Sequence, residues 1–325
     1  MADTPLLDIR GLETAIGSRA GVVRAVRGVS LRVDRGETVG LVGESGSGKS
    51  ITALSIARLL PPAGRITAGE VLLDGQDVLR LSQRALRAVR GRRIGMVFQD
   101  SMTALNPLLP VGRQLTEHVR AHLGLGPREA TRRALRLLDE VGVTDGERRL
   151  RQYPHQLSGG LRQRVAVAIA LAADPDLLIA DEPTTALDVT IQAQILDLLR
   201  REQRDRGMGL LVITHDLGVV AGIADRVAVM YAGRIIEEGA TDAVFAEPAH
   251  PYTLGLLTSV PRLDTSLDAR LPSIPGAPPP LWALDAGCAF RPRCPVAIDR
   301  CAADPPLSGE RRRVACHVDI RATVP

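Results

Sequence analysis

The most informative stretch of the chain is the glycine-rich octapeptide Gly43-Glu44-Ser45-Gly46-Ser47-Gly48-Lys49-Ser50. It fits the pattern G-x-x-x-x-G-K-[ST], and it lies between an apolar strand pattern at residues 38–42 and a helical pattern at residues 50–60. Glycines allow successive backbone N–H groups to turn toward phosphate oxygens, and a helix N-terminus adds partial positive charge. We therefore predict a nucleotide phosphate loop in which Lys49 reaches the β- and γ-phosphates and Ser50 ligates Mg²⁺, with Ile51 as a further nucleotide contact.

Lys49 is the only lysine in the chain. The 325 residues include 41 Lys and Arg, of which 40 are Arg, against 37 Asp and Glu, so the formal net charge is +4. Lysine is missing from every kind of surface position, which indicates a compositional bias of the source genome rather than a local physical cause. The one lysine that remains is therefore informative. The basic excess is not clustered, because only Arg311, Arg312 and Arg313 form a run, which we interpret as a solvated face. Nucleic acid is therefore not a predicted partner.

The composition is that of a globular protein, with 45% hydrophobic and 24% charged residues. The first ten residues contain acids and no apolar segment, which argues against a signal peptide. The longest apolar run, residues 165–173, has nine residues, well short of the ~20 that cross a bilayer. The sequence therefore predicts a soluble, cytosolic chain, in which cysteines would be metal ligands or plain thiols before disulfides.

Residues 1 to about 235 alternate short β-branched runs with helical stretches. The runs at 38–42, 177–180 and 210–213 predict buried strands, and residues 191–206 predict a helix. This alternation is typical of an α/β fold with a mainly parallel sheet. Residues 100 to about 160 carry helical pattern at 111–123 and 127–141 instead, which predicts an inserted helical subdomain. Residues 226–236 predict a β-hairpin that turns at Ala232-Gly233.

The amino-acid composition changes after Gly239. Residues 248–306 contain 12 of the 22 prolines, a density that a compact sheet cannot accommodate. We predict two short helices at 241–246 and 251–260, an extended connector, and a small tail that carries the cysteines. The predicted domains are residues 1–240 and a C-terminal extension of residues 241–325.

Two acids, Asp181 and Glu182, follow the apolar strand pattern at residues 177–180. The ends of parallel strands meet at one edge of a sheet, so Asp181 is expected to reach the Mg²⁺ held by Ser50. Glu182 would then orient or deprotonate an attacking water. The alternative is an ordinary pair of acids that caps a helix.

A second candidate anion site is Ser158-Gly159-Gly160, which precedes an apolar helical pattern at residues 165–173. A serine and two glycines before a helix present backbone N–H groups to an anion. One nucleotide does not need two such sites from one chain, so the pattern indicates a dimer. Without the other motifs, Ser158-Gly159-Gly160 would be interpreted as a loop that caps a helix.

The order of these motifs resembles that of the nucleotide-binding subunit of an ABC transporter, from about residue 8 to 240. The resemblance is carried by the octapeptide (Walker A), Gln99, Leu157-Ser158-Gly159-Gly160-Leu161-Arg162-Gln163-Arg164, residues 177–182 (Walker B), Ala186-Leu187-Asp188 and His215. It implies ATP as the nucleotide and an α/β fold: a P-loop NTPase (RecA-like) core with an antiparallel β subdomain and an inserted helical subdomain at about residues 100–160. It also implies that two such subunits pack head to tail around each ATP.

The same resemblance implies roles for three further residues. Gln99 would touch Mg²⁺ or water and couple the site to a membrane partner, His215 would contact the γ-phosphate, and Asp188 would lie at the dimer seam. The family usually stacks adenine on an aromatic side chain before Walker A, but the chain has no aromatic residue before Phe98. An aliphatic platform is therefore predicted, formed by Ile16, Val23 or Val26.

Three flanking motifs are similar to those of the ATPases of oligopeptide, dipeptide and nickel importers: Met102-Thr103-Ala104-Leu105-Asn106-Pro107, Tyr153-Pro154-His155-Gln156 and His250-Pro251-Tyr252-Thr253. The similarity implies import of di- or oligopeptides by a complex at the cytoplasmic face of the cell membrane. Its implied partners are a second ABC ATPase subunit, two transmembrane permease subunits and an extracytoplasmic peptide-binding protein.

Other substrates and another class of function stay open at this point. Nickel and modified or antimicrobial peptides are alternative substrates, because specificity lies in the binding protein and the permeases. A soluble ABC ATPase that acts on nucleic acid or ribosomes is the alternative from another class. Such proteins typically join two ATPase units or insert long coiled coils, and the sequence contains neither pattern.

The cysteines are Cys288, Cys294, Cys301 and Cys316, with the spacing C-x₅-C-x₆-C-x₁₄-C. Zinc sites usually contain a C-x₂₋₄-C pair, which this spacing lacks. Four thiolates on wider loops suit a [4Fe–4S] cluster, and the tail of some peptide-importer ATPases is similar and carries one. Zinc, plain thiols and a redox sensor that gates the ATPase are the alternatives. We interpret His317, next to Cys316, as a surface residue.

Overall fold

The computed structural model describes residues 4–18, 21–99, 104–185, 187–260, 273–284 and 286–320. The chain divides into two units. The first consists of Met1–Leu7, Val33–Thr38 and Leu72–Ile213, and the second of Asp8–Arg32, Val39–Val71 and Thr214–Pro325. Met102, Thr103 and Ala186, which belong to the motifs quoted above, lie outside the described residues, as do residues 261–272 of the predicted connector. The proposed domain boundary at residue 240 stays a prediction.

Strands and helices alternate along most of the chain. The strands are β1 (Leu7–Ser18), β2 (Gly21–Val33), β3 (Thr38–Val42), β4 (Gly64–Leu73), β5 (Gln76–Asp77), β6 (Ile94–Val97), β7 (Leu177–Asp181), β8 (Gly209–Thr214), β9 (Arg226–Tyr231), β10 (Arg234–Ala240) and β11 (Arg313–Val314). The α-helices are α1 (Lys49–Ile56), α2 (Gln83–Val89), α3 (Val111–Leu123), α4 (Pro127–Glu140), α5 (Gly146–Arg151), α6 (Gly159–Leu171), α7 (Val189–Arg206), α8 (Leu217–Ile223), α9 (Thr241–Ala246) and α10 (Pro251–Thr258). No helix within these described ranges is long and apolar enough to span a membrane.

The first unit contains parallel strands and the helical insertion. Its strands follow the order β8-β7-β6, and Ala180 pairs with Val97 on one side and Val212 on the other. Every residue of β7 and β8 is buried, as expected for strands covered on both faces. Helix α3 buries Val111, Leu115 and Val119, one residue per turn, so a single apolar face holds it in the insertion. The α/β fold and the helical insertion are therefore confirmed.

The second unit holds the octapeptide, most of the antiparallel β subdomain and the C-terminal extension. Its parallel pair is β3 and β9, with Val42 opposite Val229, and the strand order continues to β10 and β11 through antiparallel pairs. Strands β9 and β10 form the predicted hairpin. Its two loop residues, Ala232 and Gly233, have φ of 46° and 83°, as a two-residue turn that follows the strand twist requires. The hairpin prediction is confirmed.

Two predicted helix boundaries were wrong by more than two residues. The helix after the octapeptide ends at Ile56 rather than at residue 60, because Arg58 adopts a left-handed φ of 51° and the Leu59 N–H turns back to the Leu54 carbonyl at 2.7 Å. The helix predicted from residue 165 already begins at Gly159. The Ser158 side chain accepts the Leu161 N–H at 3.4 Å and thereby caps it.

Two of the three arginines in the basic run near the C-terminus pair with acids, which corrects the sequence interpretation for Arg312 and Arg313, whereas Arg311 is exposed as expected. Arg312 pairs with Glu237 at 2.5 Å, and Arg313 pairs with Glu238. Glu237 is completely buried, so its charge needs this partner. The pairing accompanies β11, which joins the edge of β10. Arg312 and Arg313 therefore attach β11 to β10.

Candidate functional site

The glycine-rich octapeptide connects the buried strand β3 to helix α1 in the second unit, in the arrangement predicted from the sequence. Helix α1 begins at Lys49, with Gly48 at its N-cap position. The first N–H groups of a helix have no partner inside the helix, and they point toward the loop that precedes it. Ser50 and Ile51 lie in this first turn, so the loop is built to receive an anion.

Two glycines of the octapeptide lie where another residue would not fit. Gly43 has φ of 154°, and a Cβ there would lie 2.1 Å from the carbonyl oxygen of Met230. Gly48 has φ of 106°, and a Cβ there would lie 2.4 Å from the carbonyl oxygen of Ala25. Both glycines therefore allow the loop to pass directly over the neighbouring backbone.

Lys49 is buried and lies across the loop. Its Nζ donates to the carbonyl oxygens of Gly43 at 2.7 Å and Glu44 at 3.0 Å. The buried Oγ of Ser47 has no hydrogen-bond partner among the described residues. Leaving a buried hydroxyl unsatisfied costs about 1–3 kcal/mol, and a phosphate oxygen is an acceptor that would satisfy it. The loop thus fits a phosphate in both charge and hydrogen bonding.

Two residues that sequence reasoning did not assign to the loop hold its second position. The Tyr252 hydroxyl accepts the Glu44 N–H at 2.8 Å, and the Arg293 guanidinium pairs with the Glu44 carboxylate at 2.7 Å. Both belong to the C-terminal extension, 208 and 249 residues away in sequence. No local pattern could have indicated these contacts.

Asp181 and Glu182 lie at the end of β7 in the first unit, and both are buried. The Glu182 N–H donates to the Ile213 carbonyl at 2.8 Å, and its Oε2 accepts the Thr185 hydroxyl at 2.7 Å. Glu182 also has a left-handed φ of 50°. This conformation is costly for a residue with a side chain, and such strain is concentrated at functional sites. The Glu182 carboxylate thus binds a side-chain hydroxyl three residues further along the chain.

Gln99 lies on the same edge of the first unit as these acids. It follows β6, which runs parallel to β7, with Val97 opposite Ala180. Its side chain is exposed, whereas Asp181 is buried. His215 follows β8 and is also exposed. Each of these predicted residues thus lies just beyond the carboxyl end of a strand, which is where ligands of parallel sheets bind.

Two helix starts in the first unit, at Ser158-Gly159 and at Asp188, are exposed, and Gly160 is half-buried. Ser158 caps α6, and Asp188 caps α7 by accepting the Ile191 N–H at 2.9 Å. A Cβ on Gly160 would approach the Ile191 side chain to 3.0 Å, so α6 and the start of α7 pack closely there. The capping role proposed as the alternative is therefore present, and it leaves the helix start accessible from outside the chain.

One predicted adenine platform residue is excluded by burial. Val26 is 0% exposed, so it has no surface on which a base could stack. Ile16 and Val23 are half-buried and stay candidates. The neighbouring Val22, which the sequence interpretation did not consider, is 57% exposed.

The four cysteines lie close to one another in the second unit. Burial raises the pKa of the Cys288, Cys294 and Cys316 thiols, and neighbouring cysteines raise these pKa values further. Each of the six possible pairs among the four cysteines contributes to at least one of these three shifts. The Cys288 N–H donates to the Cys301 carbonyl at 3.0 Å. Within the described part of the chain, no three His, Cys, Asp or Glu side chains form a group that could hold a metal ion.

Comparisons with known proteins agree with this geometry. The family model "ABC transporter" matches residues 26–185, and the model "Oligopeptide/dipeptide transporter, C-terminal region" matches residues 236–301. A putative peptide import ATP-binding protein of Brucella melitensis is 54% identical over 320 residues, which cover 95% of each chain. The oligopeptide transport ATP-binding protein OppD of Bacillus subtilis is 51% identical over 296 residues, 91% of this chain and 83% of the relative.

A solved structure extends the similarity to the fold. The dimeric structure of a bacterial ABC transporter cassette aligns with a TM-score of 0.65 at 31% identity. The alignment covers 72% of this chain and 98% of that chain. A second structure of that cassette, a dimer in a post-hydrolysis state with ADP and Pi, aligns equally well.

Proposed function

Because the chain belongs to the ABC transporter ATP-binding proteins, in the branch of the peptide importers, we propose that it is the ATP-hydrolysing subunit of an importer of di- and oligopeptides. One observation carries the proposal. The phosphate loop and the C-terminal region typical of that branch lie in one folded unit and meet at Glu44, which both Tyr252 and Arg293 contact.

The phosphate loop supplies the binding of ATP. Lys49 and the first N–H groups of α1 bind the β- and γ-phosphates, and the buried Ser47 hydroxyl gains the acceptor that it lacks among the described residues. Ser50, Gln99 and Asp181 offer oxygen ligands of the kind that Mg²⁺ prefers. Mg²⁺, when bound, neutralises the charge that develops on the phosphate oxygens.

Glu182 and His215 act on the γ-phosphate side. Glu182 orients a water molecule and takes its proton, because its buried carboxylate is fixed by the Thr185 hydroxyl. His215 contacts the γ-phosphate from the end of β8. Both roles come from the motif order and are consistent with the positions of these residues beyond the ends of strands.

The functional unit is a dimer that works with membrane proteins. The helix starts at Ser158-Gly159 and at Asp188 are exposed, with Gly160 half-buried beside the first of them. In this proposal they face the ATP bound by the opposite subunit. The dimeric state of the cassette with which the chain aligns supports this arrangement. A second ABC ATPase, two transmembrane permeases and an extracytoplasmic peptide-binding protein complete the complex at the cytoplasmic face of the membrane.

Peptide uptake tests the proposal. In cells that lack this chain, uptake of a radiolabelled tripeptide is expected to fall to background and to return with the wild-type chain but not with Lys49→Ala. Uptake of ⁶³Ni²⁺ is measured in the same cells as the control for the nickel alternative. Loss of nickel uptake with unchanged uptake of di-, tri- and pentapeptides would contradict peptide import.

A cysteine-bound cluster is the second element of the proposal. We propose that Cys288, Cys294, Cys301 and Cys316 hold a [4Fe–4S] cluster, which binds through four thiolates. Neighbouring cysteines raise the pKa values of Cys288, Cys294 and Cys316, which supports this because charges influence one another strongly only when they are near. Zinc also binds four cysteine thiolates and is the alternative to the cluster.

The cluster predicts a coloured protein. Purified without oxygen, the chain is expected to absorb at about 400 nm and to contain about four iron atoms per chain. Cys294→Ser should lose both signals, whereas His317→Ala should keep them, because the His317 ring contacts the Ala303 carbonyl at 3.0 Å. One equivalent of zinc without colour, or neither metal, would overturn the assignment.

A further inference from the structure

The second residue of the phosphate loop is fixed by a bidentate ion pair with the C-terminal extension. Arg293 Nη1 donates to Glu44 Oε2 at 2.7 Å, and Nη2 donates to Oε1 at 3.0 Å. Such paired bonds fix both the distance and the orientation of the two groups. Glu44 therefore cannot shift unless Arg293 shifts with it.

Arg293 itself is locked in place. Its side chain is only 5% exposed, and its Nε donates to the Pro275 carbonyl at 2.9 Å. The guanidinium lies 5.9 Å from the ring centres of both Tyr231 and Phe290, where cations are attracted to aromatic faces. Three of the seven aromatic residues of the chain, Tyr231, Tyr252 and Phe290, pack around one another at this point.

Tyr252 provides a second, independent contact to the same loop residue. Its hydroxyl accepts the Glu44 N–H at 2.8 Å, and the side chain is completely buried. The His250 side chain accepts the Tyr252 N–H at 3.0 Å, so the start of α10 is fixed as well. The backbone and the carboxylate of Glu44 are thus held by two different segments of the extension.

The contact continues from Glu44 to the phosphate-binding lysine. The Glu44 carbonyl accepts a hydrogen bond from Lys49 Nζ at 3.0 Å. A displacement of Glu44 therefore moves one of the acceptors that position the ammonium group. Arg293 and Lys49 are linked through this single residue.

On its other side, Arg293 is linked to the cysteines. It belongs to a short 3₁₀ turn, Arg291–Arg293, between Cys288 and Cys294. The Arg293 N–H donates to the Phe290 carbonyl at 2.9 Å, and the Cys294 N–H donates to the Arg291 carbonyl at 3.3 Å. Any change in how Cys288 and Cys294 are held changes the turn that presents the guanidinium.

We propose that Arg293 and Tyr252 are positioning residues for the nucleotide, and that they couple the affinity of the phosphate loop to the state of the four-cysteine segment. The inference rests on the proposed ATP site. Coupling between two sites is reciprocal. The nucleotide therefore alters the reactivity of the cysteines, just as the cysteines alter nucleotide affinity.

ADP affinity tests the positioning role, because ADP binds without turnover. Arg293→Ala is expected to raise the Kd for ADP about fivefold or more, within the usual range of site-to-site coupling. Arg291→Ala is the matched control, since it removes the same charge from an exposed position in the same turn and should stay within about twofold. Arg293→Lys and Tyr252→Phe should give intermediate values, because each removes only part of the contact to Glu44.

A double-mutant cycle separates positioning from a purely structural role. If Arg293 acts through Glu44, then Arg293→Ala should have little further effect on ADP affinity in a Glu44→Gln background. Loss of general stability would instead lower the Tm in both backgrounds and leave the ADP-dependent shift in Tm unchanged. Arg293→Lys provides the same comparison if the alanine variant does not fold.

The reciprocal effect is measured on the cysteines. ADP should slow the modification of the four thiols by the reagent DTNB in the wild-type chain, and this protection should be lost in Arg293→Ala. Equal ADP affinity of the Arg293→Ala and Arg291→Ala variants, or equal protection with and without Arg293, would overturn the inference. A wild-type chain that binds no ADP would instead contradict the proposed ATP site.

Discussion

Replacing Lys49 with arginine is expected to lower the ATPase rate about 100-fold or more, although the charge is retained. The ammonium of Lys49 is held at 2.7 Å from the Gly43 carbonyl and 3.0 Å from the Glu44 carbonyl. A guanidinium is larger and planar, and it presents its donors in a fixed fork rather than around one point. The backbone beside Gly43 and Gly48 is too close for the loop to widen around it.

Phosphate release under steady-state conditions measures this effect, and ADP binding shows how much of it is lost affinity. Arg113→Lys on helix α3 is the matched exchange, because Arg113 is exposed and pairs only with Glu117 on its own helix among the described contacts. It should leave the rate unchanged. An Lys49→Arg variant with a rate within threefold of wild type would contradict the assigned role of the lysine.

Replacing Glu182 with glutamine is expected to lower ATP hydrolysis by about 10²- to 10⁴-fold, the usual contribution of a general base. Glutamine keeps the size of the side chain and can still accept the Thr185 hydroxyl, which binds Glu182 Oε2 at 2.7 Å. It cannot take a proton from water. ATP binding should therefore be retained. The ATP-bound dimer should accumulate, because the hydrolysis that would open it no longer occurs.

Size-exclusion chromatography with ATP and Mg²⁺ detects the accumulated dimer. Glu202→Gln is the matched control, because Glu202 is also a buried acid of the first unit, and it pairs with Arg206 on helix α7. This control should hydrolyse ATP at close to the wild-type rate. Full turnover by Glu182→Gln would show that another group activates the water.

Much of the site could be predicted from local sequence. The octapeptide needs glycine at Gly43 and Gly48, and the structure shows a neighbouring backbone oxygen within 2.4 Å of where each Cβ would be. The hairpin at Ala232-Gly233 was predictable for the same reason, since a two-residue turn restricts its residues strongly. These features depend on a few neighbouring residues, and a sequence displays neighbours directly.

Features that depend on distant partners could not be predicted. Val26 has the same apolar character as Val23, but only its place in the packed core makes it fully buried. Arg312 was interpreted as solvated because its partner, Glu237, is 75 residues away in the chain. The left-handed φ of Glu182 likewise has no signal in the sequence, because glutamate, unlike asparagine or aspartate, has no preference for this conformation.

By itself, the sequence determined the phosphate loop, the order of the motifs and the retention of one lysine among 41 basic residues, because each of these is a local chemical requirement. Only the tertiary structure decided that the cysteine-bearing extension contacts the phosphate loop. The Glu44–Arg293 pair joins residues 249 positions apart, and many arginines could have paired with this acid. Burial among Tyr231, Tyr252 and Phe290 selects one of them, because packing fixes where a charge can be compensated.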